Sequence, residues 1–346
     1  MKKVFLCGIG PLIGIVLFAV AAITLSHALS QYPLQDILTY LRELPTLTLL
    51  LALCCVGLSY LAMIGYDVLA MRYINRSFLG ARFGLAAFIS YAFSTALGLS
   101  VITSGSLRYR FYSRWGLTLT EVTQVVIFTA LTVWLGILTI GGGMLVVSPP
   151  PLPTSPYLPE FNSTVLGGVM LMFPLAYWGL NALWRQPLQI GRWALPRVRP
   201  DLAALQIGVG SLDWLLASTV LYVLLPPSES LNFGYFLGFF LVAQTAGLIS
   251  HVPGGLGVFE SLMLLMLSTH LPAPQVFGAL LIYRVIFYWL PLGLATLSLG
   301  AYEGRGCQVY LSKLVLPKLR AVVSYARRMV RALPLTMPSW RIRNVR

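Results

Sequence analysis

Four ionisable side chains stand inside long apolar stretches of this sequence: Asp67, Asp213, Glu260 and Arg284. Charge is costly at membrane depth, so each is a candidate for binding or for carrying charge. Arg284 lies near the middle of the run from Val276 to Ala301, in Tyr283-Arg284-Val285-Ile286-Phe287-Tyr288-Trp289-Leu290-Pro291, too far from either end to reach water easily. It needs a buried anion, either the phosphate of a lipid or the carboxylate of Asp213 or Glu260. Asp213, in Ser211-Leu212-Asp213-Trp214, could balance a cationic headgroup or pair with Arg284. Glu260 follows the helix break Pro253-Gly254-Gly255-Leu256-Gly257, where a carboxylate suits the positive end of a half-helix. Asp67, in Gly65-Tyr66-Asp67, stands near Arg72, and an interfacial salt bridge competes with a role in transport.

A second pattern is Ser106-Leu107-Arg108-Tyr109-Arg110-Phe111-Tyr112, which alternates cations with aromatics. Guanidinium groups grip phosphates in bidentate fashion and tyrosines suit the headgroup level, so Arg108 and Arg110 could form a cytoplasmic gate for an anionic phospholipid. The same charges would also serve topology alone. The glycines between Pro253 and Gly257 are not a nucleotide loop, because no Gly-Lys-Ser/Thr follows. Gly141-Gly142-Gly143 reads as a close-packing or flexible point, while His251 could titrate or simply satisfy backbone groups. The four cysteines, Cys7, Cys54, Cys55 and Cys307, form no spaced pair suited to zinc, so neither metal nor disulfide framework is expected. No nucleophile and base stand at catalytic spacing, so neither a cofactor nor an enzymatic activity is expected.

The elements that must position these residues are membrane helices. Of 346 residues 58% are hydrophobic and 10% charged, with a mean hydropathy of +0.81, against roughly 25% charged in soluble domains. Apolar runs occupy about Val4 to Ser26, Pro45 to Ala70, Phe83 to Thr103, Leu117 to Val147, Thr164 to Trp184, Leu202 to Leu225, Phe233 to Ser250, Val258 to Ser268 and Val276 to Ala301. The first follows Lys2 and Lys3 and reads as an uncleaved helix rather than a signal peptide. The net charge of +14 follows the positive-inside rule instead of marking a nucleic-acid binder. Arginines gather in the stretches Met71 to Arg82, Ser104 to Gly116 and Arg185 to Pro200 and in the tail, all expected to be cytoplasmic loops. The stretches His27 to Leu44, Ser148 to Ser163 and Pro226 to Leu231 are expected to face outward.

This arrangement carries a constraint. The run Phe83 to Thr103 begins and ends at arginine-rich stretches, so it reads as a re-entrant hairpin, and the broken run from Phe233 to His270 reads as a second one. The expected fold is therefore an all-α polytopic membrane protein of about eight membrane elements, with two re-entrant hairpins in an inverted repeat spanning 1–147 and 164–302. Such repeats place the substrate where their broken helices meet. The stretch 303–346, rich in Arg and Lys, reads as a cytoplasmic tail, either amphipathic on anionic lipid or disordered.

Taken together, Gly65-Tyr66-Asp67, Ser104 through Arg110, Ser211-Leu212-Asp213-Trp214, Pro253 through Glu260, and Tyr283-Arg284 with Tyr288 and Pro291 resemble the membrane region of the lysyl-phosphatidylglycerol synthase/flippase family, also called the multiple peptide resistance factor. The resemblance runs over most of Val4 to Ala301. It implies movement of aminoacylated phosphatidylglycerol between leaflets of a bacterial inner membrane, with both termini cytoplasmic, and a part for Asp67, Arg108 or Arg110, and Asp213. The position of Asp213 is often Glu in the family. Full-length members continue into further helices and an aminoacyl-transferase domain, whereas this sequence stops at Arg346, so lysyl transfer is not expected of it. The partners implied are phospholipids, above all anionic or aminoacylated phosphatidylglycerol, and a separate lipid synthase. The competing expectations are a non-transporting membrane protein that docks such a synthase or an envelope enzyme, and a small-solute transporter.

Overall fold

The computed structural model describes residues 34–77, 80–97, 100–148, 162–183, 188–190, 193–195, 198–250 and 252–310. The expected first helix, Val4 to Ser26, His251 and most of the basic tail lie outside the described residues. The chain divides into two compact units, residues 12–298 and a second unit made of Met1–Pro11 with Leu299–Arg346. Everything below concerns the first unit, save that its last helix continues to Tyr310.

The described elements are α1 (Leu34–Glu43), α2 (Thr46–Tyr73), α3 (Ala81–Leu97), α4 (Ser100–Tyr112), α5 (Leu119–Val147), α6 (Ser163–Leu183), a two-stranded ribbon of β1 (Leu188–Ile190) and β2 (Trp193–Leu195), α7 (Pro200–Leu224), α8 (Phe233–Ile249), α9 (Val258–Leu267), α10 (Ala273–Tyr283) and α11 (Leu290–Tyr310). A π-helical segment, Arg284–Trp289, joins α10 to α11 without a break. Among the described residues five helices are long and apolar enough to cross a bilayer: α2, α5, α6, α7 and the continuous α10–α11. Two further pairs are shorter. α3 with α4, and α8 with α9, have 17, 13, 17 and 10 residues, and at 1.5 Å per residue none reaches the ~30 Å of a hydrocarbon core with ease. Within each pair the two helices pack on each other. The chain is thus an all-α polytopic membrane protein.

Two expectations need correction. The stretch from Ser104 to Gly116 is not a loop, because α4 continues through it to Tyr112 and a short 3-10 turn, Ser113–Trp115, closes it. Its small and basic residues suggest a loop, yet a stripe of them turns inward and is satisfied there. Likewise, residues 34–43 of the expected outer loop form α1, whose Tyr40 hydroxyl donates to the Leu224 carbonyl at the end of α7. Burial there pushes the Tyr40 hydroxyl up to about 12.

α7 is the spine of the bundle, and its sequence shows why. Gln206, Gly210 and Trp214 recur every four residues and form one stripe against α5. Gln206 donates to the Phe128 carbonyl (3.0 Å) and the Thr132 hydroxyl (2.9 Å), and the Trp214 indole donates to the Val133 carbonyl (3.0 Å). Between them a methyl added at Gly136 would lie 2.5 Å from the Gly210 carbonyl, so the two backbones touch through paired glycines. The neighbouring stripe, Val209 and Asp213, faces α2 at Gly65 and Ser59. Gly142 packs in the same manner against the Gly167 carbonyl of α6, which bears out the close-packing alternative for that glycine run.

Proline shapes the last span. Pro291 has no N–H, so a plain α-helix would leave the Phe287 carbonyl unpaired and pressed against the proline ring. The chain widens here instead. The Leu290 N–H reaches back five residues to Val285, and the Tyr60 hydroxyl of α2 donates to the freed Phe287 carbonyl at 3.2 Å. π-Helical turns are rare and concentrate at functional sites, and this one begins at Arg284.

Candidate functional site: a polar cavity between two broken helix pairs

Three buried ionic centres surround the middle of the bundle. In the first, Arg108 grips Asp67 with both edges of a fork, Nε to Oδ1 at 2.8 Å and Nη2 to Oδ2 at 2.7 Å. Its Nη1 donates to the Ser104 hydroxyl, and the Tyr112 hydroxyl donates to Asp67 at 2.7 Å. Ser104, Arg108 and Tyr112 are again four residues apart, so α4 offers one stripe to one carboxylate. The guanidinium also lies 4.6 Å over the Tyr91 ring of α3. Arg108 is 1% and Asp67 0% exposed, so Asp67 forms a salt bridge, one of its two alternatives, but a buried one with Arg108. Arg110, two residues along α4, points to another side and is partly exposed; the structure does not bring it together with Arg108.

In the second centre, Asp213 accepts hydrogen bonds from the hydroxyls of Ser59 and, at 2.7 Å, Tyr66. It is 5% exposed, and among the described residues no cation stands within ion-pairing distance of it. The alternative in which Arg284 takes Asp213 as its partner is therefore not what forms.

Arg284 belongs to the third centre. Its Nε donates to Glu260 at the start of α9, and its Nη1 to the Gly254 carbonyl in the break. The guanidinium lies 4.5 Å over the Tyr288 ring and 5.3 Å from that of Phe259. Glu260 also accepts the Gly257 N–H at 2.8 Å, so one carboxylate closes the half-helix and holds the arginine. Its helix-capping alternative and its ionic role are both realised. The break itself needs glycine: Gly254 has φ +59° and Gly255 φ +63°, in the left-handed region. A methyl on Gly254 would lie 3.4 Å from the Ala96 carbonyl, which belongs to the last turn of α3. The ends of the two short helix pairs therefore meet at Arg284. Its Nη2 is buried and has no hydrogen-bond partner among the described residues.

Asp213 lines a cavity of about 140 Å³, and Arg108 and Arg284 lie behind its lining residues Tyr91 and Tyr288. α2 supplies Met63 and Tyr66, α3 Tyr91, Ser94 and Thr95, α7 Asp213 and Trp214, α8 Gln244, the break Gly254 and Gly255, and the π-helical segment Phe287 and Tyr288. It is polar on one side and aromatic on the other. Gln244 ties its edge together, donating to the Tyr283 and Tyr288 hydroxyls at 3.3 Å each. Ser59, Tyr91, Thr95 and Gln244 carry no signal in the sequence, since such residues occur singly in any membrane helix. A wider groove of about 640 Å³ opens at one end of the bundle, among Tyr40, Glu43, Pro45, Tyr222 and Pro227.

An all-helical membrane bundle holding a charged cavity between two interrupted helix pairs defines the class of this protein. Over 291 residues, 84% of this chain and 90% of the other, it is 39% identical to the protein slr0712 of Synechocystis. Over 263 residues, 75% of this chain and 82% of the other, it is 30% identical to the inner membrane protein YbhN of Escherichia coli. The chain belongs to the family of these two proteins, and part of it is similar to phosphatidylglycerol lysyltransferases. The phosphatidylglycerol lysyltransferase of Staphylococcus haemolyticus is 39% identical over 97 residues, 28% of this chain and 11% of that enzyme. No family model matches the sequence.

Proposed function

We propose that this protein is a lipid translocase that moves an anionic or aminoacylated phospholipid, of the lysyl-phosphatidylglycerol type, between the leaflets of a bacterial inner membrane. The observation that carries this reading is the buried cavity lined by Asp213, with the Arg284 guanidinium held against two of its lining residues, Gly254 and Tyr288. Arg284 is held on two nitrogens and keeps a third for an anion such as a lipid phosphate, and the neighbouring wall holds Asp213 for a cationic group. Buried guanidinium groups without a full set of partners are expensive, so a spare donor at the meeting point of two broken helix pairs is a binding feature. The partial matches to phosphatidylglycerol lysyltransferases support the lipid class.

In this reading the α3–α4 and α8–α9 pairs are re-entrant hairpins that enter from opposite faces and belong to two inverted repeats. Arg72 and Arg76 at the end of α2, Arg114 after α4 and Arg199 before α7 put those ends on the cytoplasmic side by the positive-inside rule. The wide groove at the opposite end of α2 and α7 then opens outward. Arg110 serves as a cytoplasmic contact for the headgroup, whereas Arg108 and Asp67 hold the first hairpin in place. Purified protein in liposomes, with phosphatidylglycerol and lysyl-phosphatidylglycerol reporters placed in one leaflet, tests the proposal. Exchange of at least one reporter above protein-free liposomes is expected. Folded protein that exchanges neither would overturn it.

A further inference from the structure

We infer that Asp213 is a proton carrier, and that a proton and the ammonium group of the cargo occupy its carboxylate in alternation, which makes the protein an antiporter. The inference rests on the translocase reading above and adds its energy source.

The observation is the contrast between Asp213 and the other buried carboxylates. Asp67 and Glu260 each have an arginine, but among the described residues Asp213 has only the neutral hydroxyls of Ser59 and Tyr66. A carboxylate at this depth without a cation is unstable as a bare charge. It must either carry a proton or face a cation that comes and goes. The cavity supplies the second condition. The rings of Tyr66, Tyr91, Trp214, Phe287 and Tyr288 line the same cavity as the carboxyl, and aromatic faces with a carboxylate are the setting that holds an ammonium ion. The volume of about 140 Å³ admits several waters or the amine end of a headgroup, not a whole phospholipid.

Among the described residues no other carboxylate and no cation lines the cavity. Its titratable lining groups are the phenols Tyr66 on α2, Tyr91 on α3 and Tyr288 on the π-helical segment, while α5 and α8 contribute Val133 and Gln244. The tyrosines Tyr60 and Tyr283 also stand near Asp213. The buried cations of the region, Arg108 and Arg284, are held by Asp67 and Glu260.

The cycle balances. When the cavity faces the cytoplasm, the carboxyl proton leaves to that side as the ammonium group takes its place. When it faces outward, the ammonium leaves and the carboxylate takes a proton from outside. One proton moves inward for each ammonium group moved outward.

The test uses the full chain in liposomes with a lysyl-phosphatidylglycerol reporter in the inner leaflet, a pH dye in the lumen and an acidic exterior. The gradient should speed outward movement severalfold, lumenal acidification beyond that of protein-free liposomes should accompany it, and a protonophore that collapses the gradient should abolish the speeding. Asp213→Asn should lose the gradient response entirely. Exchange in the wild type that ignores the gradient, or a gradient response kept by Asp213→Asn, would overturn the inference and leave lipid exchange standing. A second measurement, independent of transport, follows the melting temperature of the detergent-purified protein with ethanolammonium as probe. Because the ammonium needs the deprotonated carboxylate, ethanolammonium should raise the melting temperature at high pH, and the rise should vanish as pH falls. Absence of that rise in the wild type, or its persistence in Asp213→Asn, would equally overturn the inference. If neither reporter moves in folded protein, the translocase reading fails and takes antiport with it.

Discussion

Arg108 and Arg284 are both buried arginines, each attached to a carboxylate and an aromatic ring beside a short helix pair, yet they are built for different ends. Arg108 uses Nε, Nη1 and Nη2, and its carboxylate takes a further bond from Tyr112. Arg284 uses Nε and Nη1 and keeps Nη2. Their carboxylates differ as well, since Asp67 is wholly buried and Glu260 is 15% exposed. A saturated ion pair fixes the α3–α4 pair against α2. An unsaturated one ties the α8–α9 pair to the last span and leaves one buried donor nitrogen unused. The comparison teaches that buried charge alone does not separate the two centres. The count of unfilled donors does, and it is what makes Arg284 the anion site in the proposed reading.

The largest effect should come from cutting the saturated pair. Removing one partner of a buried ion pair leaves the other charge bare, at about 3–5 kcal/mol. Asp67→Ala and Arg108→Ala should each lower the melting temperature of the detergent-purified protein steeply, and replacing both by apolar residues of similar volume should restore most of it. If either single variant melts like the wild type, Arg108 is not the clamp the geometry makes it.

Arg284→Lys should show the reverse profile. Lysine keeps the charge but cannot reach Glu260 and the Gly254 carbonyl at once while presenting a further donor in a plane. Leaflet exchange should fall at least tenfold while the melting temperature moves by a few degrees. Equal losses of exchange in Arg284→Lys and Arg108→Lys would erase the distinction between the two centres.

How much of this was legible in the sequence follows from the same contrast. Arg284, Glu260, Asp213 and Asp67 stand out because charge is rare in apolar runs, and the glycines of the break announce themselves because no helix tolerates them. The five long spans and the two short pairs follow from hydropathy and the positions of arginine. The partners do not follow. Ser59 and Asp213 are 154 residues apart, and Arg108 and Asp67 are 41 apart, so periodicity within a helix cannot join them. Arg108 is read as a loop residue because arginines beside glycine and serine usually are, and only the four-residue spacing of Ser104, Arg108 and Tyr112 hints at an inward stripe. The π-helical segment leaves one trace, Pro291 within an apolar run.

Smaller changes separate the centres further. Ser104→Ala removes one hydrogen bond from Arg108 and should cost roughly 1–2 kcal/mol, with exchange per folded molecule unchanged. Gly254→Ala should cost a similar ~1–2 kcal/mol, since alanine resists a left-handed backbone. It should also reduce exchange, because the added methyl would stand 3.5 Å from the Arg284 Nη1 and 3.4 Å from the α3 end. A Gly254→Ala variant with full exchange would detach the break from the site.

The smallest effect is expected at Arg76, the exposed counterpart of both arginines. It reaches Glu121 at 2.9 Å, with 46% of the arginine side chain and 20% of the carboxylate side chain exposed. Water competes for both groups, and an exposed pair of this kind is worth about 0.2–1 kcal/mol. Glu121 also accepts the Thr118 N–H at 2.8 Å, so it keeps a partner when the arginine is gone. Arg76→Ala should therefore leave both the melting temperature and leaflet exchange nearly unchanged at moderate salt. If it instead lowers exchange by tenfold without loss of folded protein, the arginine-rich ends of the helices carry a headgroup contact as demanding as Arg284, and Arg284 loses its claim to be where the anion is held.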